Sequence, residues 1–311
     1  MQFSEHFTEF KQAMLETDHR RRTIHGYIRD LHIFEKWFIE TRGAPPVLEK
    51  ITPLDVRAFR EYMLHTRKLK PSTINRRLAG LRVYLEYAVG RKLLPQNPAA
   101  KIRGVKQTRH APRWLTPAEQ RQLRRALDRE VQISLADSGG EMSFRVRQAI
   151  RDRAMFLLLL NTGLRSSELM QLTLNDVDLS ERRGAVFVRD GKGGKARTIP
   201  LNREARRTLR EYLEVRFQVD SDNFFVGQRG RIGSRQLLRL LKKYCWLAKL
   251  EPNMLTIHVL RHTFGKNLVD SGVSLDRVAT LLGHVSLNTT RIYTTPDEND
   301  LQQAVERLAN V

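Results

Sequence analysis

The sequence predicts a mainly α fold in two domains, with one small antiparallel β-sheet. At 311 residues the chain is long enough for about two domains of ~150 residues each. Through the first hundred positions apolar residues return at three- and four-residue steps, the period of a helix with one buried face. Past the midpoint, two short β-rich stretches flank a glycine-rich turn, the pattern of a hairpin. A hydrophobic content of 41% supplies a core and excludes disordered and collagen-like chains.

Residues 4–15 read as a short first helix. Thr23, Ile24, Tyr27, Ile28, Leu31, Phe34, Trp37 and Phe38 mark a longer amphipathic one, ended by Gly43 and Pro45-Pro46. Thr52-Pro53-Leu54-Asp55 offers an N-cap, a proline at the first helical position and an acid in the first turn, so a third helix starts there. Pro71-Ser72 opens a fourth, with Ile74, Leu78, Leu81, Leu85 and Ala88 on one face. Gly90 and Pro95-Gln96-Asn97-Pro98 close it, which completes a helical domain over residues 1–100.

Residues 101–113 hold Gly104, Pro112, five basic residues and no acid, and read as a linker. Two roles fit it, crossing a phosphate backbone or serving as a solvated connector. The second domain, 114–311, opens on Leu115-Thr116-Pro117-Ala118-Glu119, another capped helix start. Residues 131–146, with Ser138-Gly139-Gly140 and no sustained period, read as an exposed loop. The run 154–160 is too apolar for a surface helix and belongs at the centre of the core. Strands at 186–189 and 196–200 flank Asp190-Gly191-Lys192-Gly193-Gly194, and Asn223-Phe224-Phe225-Val226 is a candidate third strand. Helices follow from near Ser234, broken at 251–253, Gly272 and Gly283-His284. Thr295-Pro296-Asp297-Glu298 then caps a last helix with Leu301, Ala304, Val305 and Leu308 in one stripe.

Charge narrows the class of partner. Lys and Arg number 55 against 34 Asp and Glu, a formal charge of +21. Residues 1–104 hold 20 basic and 11 acidic side chains, and residues 105–311 hold 35 and 23, so the two parts carry +9 and +12. Neither is a basic tail on a neutral body. A polyanion that both domains enclose is expected, nucleic acid above all, with steeply salt-dependent binding. The longest apolar run, 154–160, is far short of the ~20 residues of a membrane-spanning helix. The first residues, Met1 to His6, lack the apolar segment of a secretory signal. One cysteine, Cys245, excludes an internal disulfide framework and a Cys-rich zinc module. A cytoplasmic protein with no membrane partner is expected.

Only three of the nine histidines fall in the C-terminal part of the chain. His258 and Arg261 lie three residues apart on one helix face, and His258 and His262 lie four apart. The second spacing can hold zinc, but the helix lacks the Glu of a His-Glu-x-x-His site and would place Arg261 beside the metal. His262 is therefore read as a buried histidine that caps or packs between helices. Thr162-Gly163-Leu164-Arg165-Ser166-Ser167-Glu168 stands upstream, and Leu281-Leu282-Gly283-His284 and Thr289-Thr290-Arg291-Ile292-Tyr293 downstream. Two arginines, two histidines, a lysine on a glycine turn and a tyrosine make a set suited to in-line displacement at a phosphodiester.

In this order and at these separations the motifs resemble those of the tyrosine recombinases of the phage integrase family, the Xer-type members especially. The matching residues are Gly163-Leu164-Arg165-x-x-Glu168, Gly191-Lys192-Gly193, His258-x-Leu260-Arg261-His262-Thr263-Phe264, Leu282-Gly283-His284 and Tyr293, and the likeness spans essentially the whole length. It implies a SAM-like core-binding domain and a catalytic domain closing as a C-clamp around DNA. It implies Tyr293 as the nucleophile that forms a 3′-phosphotyrosyl bond and releases a 5′-hydroxyl. A phenol titrates near pH 10 as a residue type, so such a nucleophile needs a base and nearby cations. Arg165 and Arg261 match the pair that grips the scissile phosphate, and a guanidinium fork suits two non-bridging oxygens. His284 matches a further phosphate donor, His258 the acceptor of the tyrosine proton, and Lys192 the general acid for the leaving oxygen. Lys195 stands as an alternative acid. Glu168 matches an acid that orients Arg165 rather than reacting.

By the same resemblance no cofactor and no metal is needed, since arginines do the work of divalent ions. The partner is double-stranded DNA with specific recombination sites, bound by a homotetramer, alone or with a paralogous recombinase, that exchanges strands through a Holliday junction. The tail after Tyr293 docks either on its own catalytic domain or on a neighbouring protomer. A nucleoid location follows. No arm-binding segment precedes the helical domain, so integration regulated from distant arm sites is not expected. Gly265 stands where relatives more often carry Ala or Ser. Arg76 and Arg77 in the first domain and Arg235, Arg239, Lys242 and Lys243 on a late helix are candidate DNA contacts, each otherwise a solvated cation. The alternative functions are a type IB topoisomerase-like strand transferase and a catalytically idle DNA-binding accessory factor.

Overall fold

The computed structural model describes residues 2–17, 19, 21–107, 112–180, 182–189, 196–251, 253–284 and 289–293. Lys192, Lys195 and the expected tail helix lie outside the described residues. The chain divides into two units, Met1–His110 and Ala111–Val311.

Among the described residues four α-helices build the first unit: α1 (Phe7–Glu16), α2 (Arg21–Arg42), α3 (Pro53–Glu61) and α4 (Pro71–Gly90). Thr52 caps α3 in a reciprocal box with Asp55, and Pro53 sits where its missing N–H costs nothing. The apolar faces read from the sequence meet inside, with Ile24, Leu31 and Phe34 of α2 against Ile74, Leu78 and Leu81 of α4. Phe3, Phe7 and Phe10 pack edge-on around the Tyr84 ring at centroid distances of 5.0–5.2 Å. The Tyr84 hydroxyl donates to the Phe3 carbonyl, so this buried polar tip is satisfied.

The segment after α4 is bound to this unit rather than free. Arg82 donates to the carbonyls of Ala99 and Ile102, and Arg60 to that of Arg103. Asn75 and Val105 exchange two hydrogen bonds of 2.9 and 2.7 Å. Gly104 makes this possible, because a Cβ there would stand 2.5 Å from the Asn75 oxygen. The basic stretch therefore begins as a strap on the first unit.

The second unit contains α5 (Pro117–Asp137), α6 (Phe144–Thr162) and α7 (Ser166–Gln171), then strands β1 (Val177–Asp178), β2 (Ala185–Val188) and β3 (Arg197–Pro200). It continues with α8 (Arg203–Val215), β4 (Val226–Gly227), β5 (Gly230–Arg231), α9 (Ser234–Leu247), α10 (Ile257–Asp270) and α11 (Leu275–Leu282), and a 3₁₀ turn over Arg291–Tyr293. Helix α6 is the centre: residues 154–160 are all buried, and it packs against α5, α8 and α10. No helix among the described residues is long and apolar enough to cross a membrane.

Two expectations are corrected. Residues 131–146 are not a loop: α5 runs through Asp137 and α6 starts after the Ser143 cap, so only 138–143 lie between helices. The inward face of α5 continues as Leu127, Glu130, Val131 and Ser134, and the two polar members masked the period. Glu130 is held there by the Lys243 ammonium at 2.7 Å. Asn223 to Val226 do not extend the hairpin's sheet either. Its order is β1-β2-β3, antiparallel, with Val177 opposite Val186 and Val186 opposite Ile199. Val226 pairs with Arg231 in a separate ladder. Phe224 and Phe225 are core residues instead, Phe225 stacking on Tyr212 at 5.3 Å.

Candidate active site

The site is assembled around the C-terminal end of α11. Helix ends leave carbonyls without intrahelical donors, and their partial negative charge attracts cations. Here three consecutive carbonyls are each met by a different arginine. Arg197, on β3, donates through Nε to Leu281 at 2.9 Å. Arg261, on α10, donates through Nη2 to Leu282. Arg165, the N-cap residue of α7, donates through Nη2 to Gly283 at 2.9 Å.

Each arginine is placed by a local feature of the sequence. Gly163 ends α6 in a left-handed conformation (φ +61°), and a Cβ there would stand 2.6 Å from the Phe264 ring. Only glycine lets this turn approach α10 so closely, and its carbonyl accepts a second bond from Arg261 at 2.6 Å. The turn delivers Arg165 to the start of α7, three residues before Glu168. Glu168 accepts from the Arg165 backbone N–H at 2.8 Å and from its guanidinium at 2.5 Å. Burial pushes the Glu168 carboxyl up, but the bonds from Arg197 and Arg165 outweigh it and hold the group at about 2. Arg261 is 5% exposed; burial and the neighbouring Arg165 charge bring it down to about 10, still a cation at neutral pH.

Tyr293 packs against α10 at His262 and Gly265. It is 1% exposed, and its hydroxyl is 2.9 Å from His262 Nδ1. Burial raises the phenol to about 12, against a smaller pull downward from Arg261. Burial, with the charges of His258 and Arg261, lowers His262 to about 4, so the imidazole is neutral at pH 7. With its proton on Nε2, Nδ1 accepts from the phenol. The Tyr293 ring rests on Gly265, where a Cβ would come within 2.6 Å of Cζ. His284 bonds Thr290 through Nδ1 at 2.9 Å, lies nearly parallel to the Tyr293 ring, and is lowered to about 4 by burial and then by Arg261 and Arg165.

Two family models match the chain. The phage integrase N-terminal SAM-like domain covers residues 7–92, within the first unit, and the phage integrase family model covers residues 115–300, within the second. The chain belongs to the phage integrase family. It is similar to the tyrosine recombinase XerC of Thermodesulfovibrio yellowstonii, with 33% identity over 298 residues, 92% of this chain and 89% of that one. XerC of Roseiflexus castenholzii is 36% identical over 252 residues, 78% of this chain and 74% of that one. Among solved structures, XerH recombinase in a post-cleavage complex with its palindromic difH substrate superposes with a TM-score of 0.73 at 25% identity, covering 91% of this chain and 78% of that one. A lambda integrase dimer bound to a COC′ core site shares the fold, with a TM-score of 0.69 at 19% identity over 93% of this chain and 97% of that one.

In this tyrosine recombinase, then, the structure brings Arg165, Glu168, Arg261, His284 and Tyr293 around the α10–α11 junction. His258 is exposed and makes no hydrogen bond among the described residues. The histidine on the Tyr293 hydroxyl is His262, expected from the sequence to cap or pack between helices. Its spacing held the signal: His262 and Gly265 are three apart on one face of α10, and that face receives the tyrosine. Arg197 was missed altogether. Among the described residues no group of three or more His, Cys, Asp or Glu side chains is arranged to hold a metal.

The proposed DNA contacts divide. Arg235, Arg239 and Lys242 line the outer face of α9 with exposed Leu238 and Trp246 and have no ion-pair partner among the described residues. Lys243 is turned back to Glu130. Arg76 pairs with Asp30, which is 2% exposed, and Arg77 lies 3.9 Å from the same carboxylate. Asp30 matches one of these two charges inside the first unit, where the pairing ties α4 to α2.

Proposed function

We propose that this recombinase cuts and rejoins duplex DNA at specific sites, with Tyr293 as nucleophile and Arg165, Arg261 and His284 as the grip on the scissile phosphate. The convergence of these four side chains on one helix end, from positions up to 128 residues apart, is the observation that carries the reading. The Tyr293 oxygen bonds to phosphorus and the bond to the 5′-oxygen breaks, giving a 3′-phosphotyrosyl ester. His258 takes the phenolic proton once the hydroxyl has left His262, and Lys192 protonates the departing 5′-oxygen. Attack by a 5′-hydroxyl of the partner site reverses these steps and exchanges the strand. Guanidiniums already bonded to fixed carbonyls stabilise the charge that builds on phosphorus without reorganising.

A phenol that is 1% exposed cannot reach a duplex, so the described conformation precedes cleavage and DNA binding must release Tyr293. The first unit, the basic strap and the outer face of α9 supply phosphate contacts, which position the protein without reading sequence. Four copies on two sites, alone or with a paralogous recombinase, make the working assembly, on the nucleoid in the cytoplasm. A nicked duplex, built on the sequence that the wild-type chain enriches from a randomised library, tests this. A covalent adduct is expected from the wild type and none from Tyr293→Phe. Tight binding without adduct from the wild type refutes the reading in favour of an accessory factor. Adduct on any sequence, with relaxation of supercoils, refutes it in favour of a topoisomerase.

A further inference from the structure

We infer that Arg197 is a positioning residue that keeps Arg165 available to the scissile phosphate. The inference rests on the reading of Arg165 and Arg261 as the phosphate grip. The Arg197 side chain is 7% exposed, and each of its three nitrogens donates to protein: Nε to the Leu281 carbonyl at 2.9 Å, Nη1 to Glu168 Oε1 at 3.0 Å, and Nη2 to Glu168 Oε2 at 2.8 Å. Among the described residues Arg197 alone of the three arginines donates to protein through Nε as well as both Nη atoms, so it has the least left to offer a phosphate. Its effect falls on its neighbours.

The first effect is on charge. Two guanidiniums, Arg165 and Arg197, bond one carboxylate, Glu168, and Arg261 lies near enough to feel its charge. Arg197 takes both oxygens of Glu168 in a fork, the strongest geometry for that pair. The Glu168 charge is thereby matched by Arg197, and the charges of Arg165 and Arg261 remain for the substrate. Without Arg197 the carboxylate turns wholly onto Arg165, 2.5 Å away, and half of the net positive charge at the grip is lost.

The second effect is on geometry. The Leu281 carbonyl that Arg197 holds precedes the two that hold Arg261 and Arg165, so one side chain sets the angle of the helix end that both depend on. Gly283 fits around it: its φ is +64°, and a Cβ there would stand 2.9 Å from Arg197 Nη1. Arg197 is also the first residue of β3, five positions after Lys192 in the sequence. It ties that strand to α7 and α11.

The test uses the full chain on two versions of the selected nicked duplex. One carries the natural scissile phosphate; the other carries a methylphosphonate, in which a methyl group replaces a charged oxygen. Arg197→Lys keeps the charge and the stem but loses the fork, and Arg197→Ala loses both. Expected for Arg197→Lys are a melting temperature and site affinity near wild type and single-turnover cleavage about 10²-fold slower on the phosphate. The deficit should shrink on the methylphosphonate, where less charge has to be gripped. Arg197→Ala should show a larger deficit together with a lower melting temperature, and if it fails to fold the lysine variant decides alone. Wild-type cleavage by Arg197→Lys, or an equal deficit on both duplexes, overturns the inference, the second outcome marking a structural role only. No adduct from the wild-type chain overturns the nucleophile reading, and this inference with it.

Discussion

The two halves of the site are held in different ways. Arg165, Arg197, Arg261 and Glu168 come from α7, β3 and α10, and each is bonded at least twice to fixed groups. Behind them α6 and the first turn of α10 belong to the large core of the unit. Tyr293 sits instead in a small cluster with Phe264, Val278 and Leu282, on a single 3₁₀ turn, its hydroxyl held by His262. Removing one partner from a buried ion pair costs about 3–5 kcal/mol. Releasing a buried ring with one neutral hydrogen bond costs about 2–4 kcal/mol. Specific protein–DNA binding supplies roughly 11–15 kcal/mol, enough for the second change. On the proposed roles, the phosphate grip is built before DNA arrives, while the nucleophile is stored at a depth that binding can overcome.

The largest expected effect lies on the arginine side. Arg261→Lys keeps a cation but cannot reproduce a fork that reaches the Gly163 and Leu282 carbonyls while facing a phosphate. Adduct formation should fall by about 10²–10³-fold, with DNA affinity much less affected. Single-turnover cleavage beside a gel-shift titration measures both. A wild-type rate would mean that the grip is not preformed, and the contrast between the two halves would collapse.

How much of this was legible depended on how local each feature is. Thr52 with Asp55 and Thr116 with Glu119 are capping pairs three residues apart, and both form as the residue types require. Arg165 and Glu168 have the same spacing, but their pairing was expected from the family resemblance alone. Arg197 was not, because its carboxylate lies 29 residues away and its carbonyl 84, across elements whose meeting no local pattern encodes. Gly265 stood out as an odd residue in a helix, and its reason is the Tyr293 ring that folds back over it. The end of α5 was hidden because Glu130 and Ser134 take inward positions that hydrophobic periodicity assigns to apolar residues.

Gly265→Ala probes the tyrosine side with a smaller effect. The added Cβ would stand 2.6–3.0 Å from three atoms of the Tyr293 ring, so the ring must leave its seat or α10 must shift. Overpacking of this kind costs about 1–3 kcal/mol, which a denaturant titration would detect. The phenol should titrate below its present value of about 12, toward that of free tyrosine, in spectrophotometric difference against Tyr293→Phe. Adduct formation should persist, because the seat is a store and not the reacting position. Loss of adduct at unchanged stability would show the reverse, that the seat is where Tyr293 reacts.

Acid should separate the two halves. His262 and His284 are held at about 4 against an ordinary 6.5, so the folded chain binds fewer protons than the unfolded one between those values. Stability from these two groups is complete above pH about 6.5 and declines as pH falls toward about 4. Glu168 is held at about 2 against an ordinary 4.5, so its contribution declines only from pH about 4.5 downward. The histidines touch Tyr293 and Thr290, and the carboxylate touches the arginines, so acidification should loosen the tyrosine side first. His262→Gln removes one of the two titrating imidazoles and should flatten the upper part of a stability-versus-pH curve while leaving the lower part in place. A variant curve parallel to wild type through both windows would show that proton uptake at His262 is not coupled to holding the nucleophile.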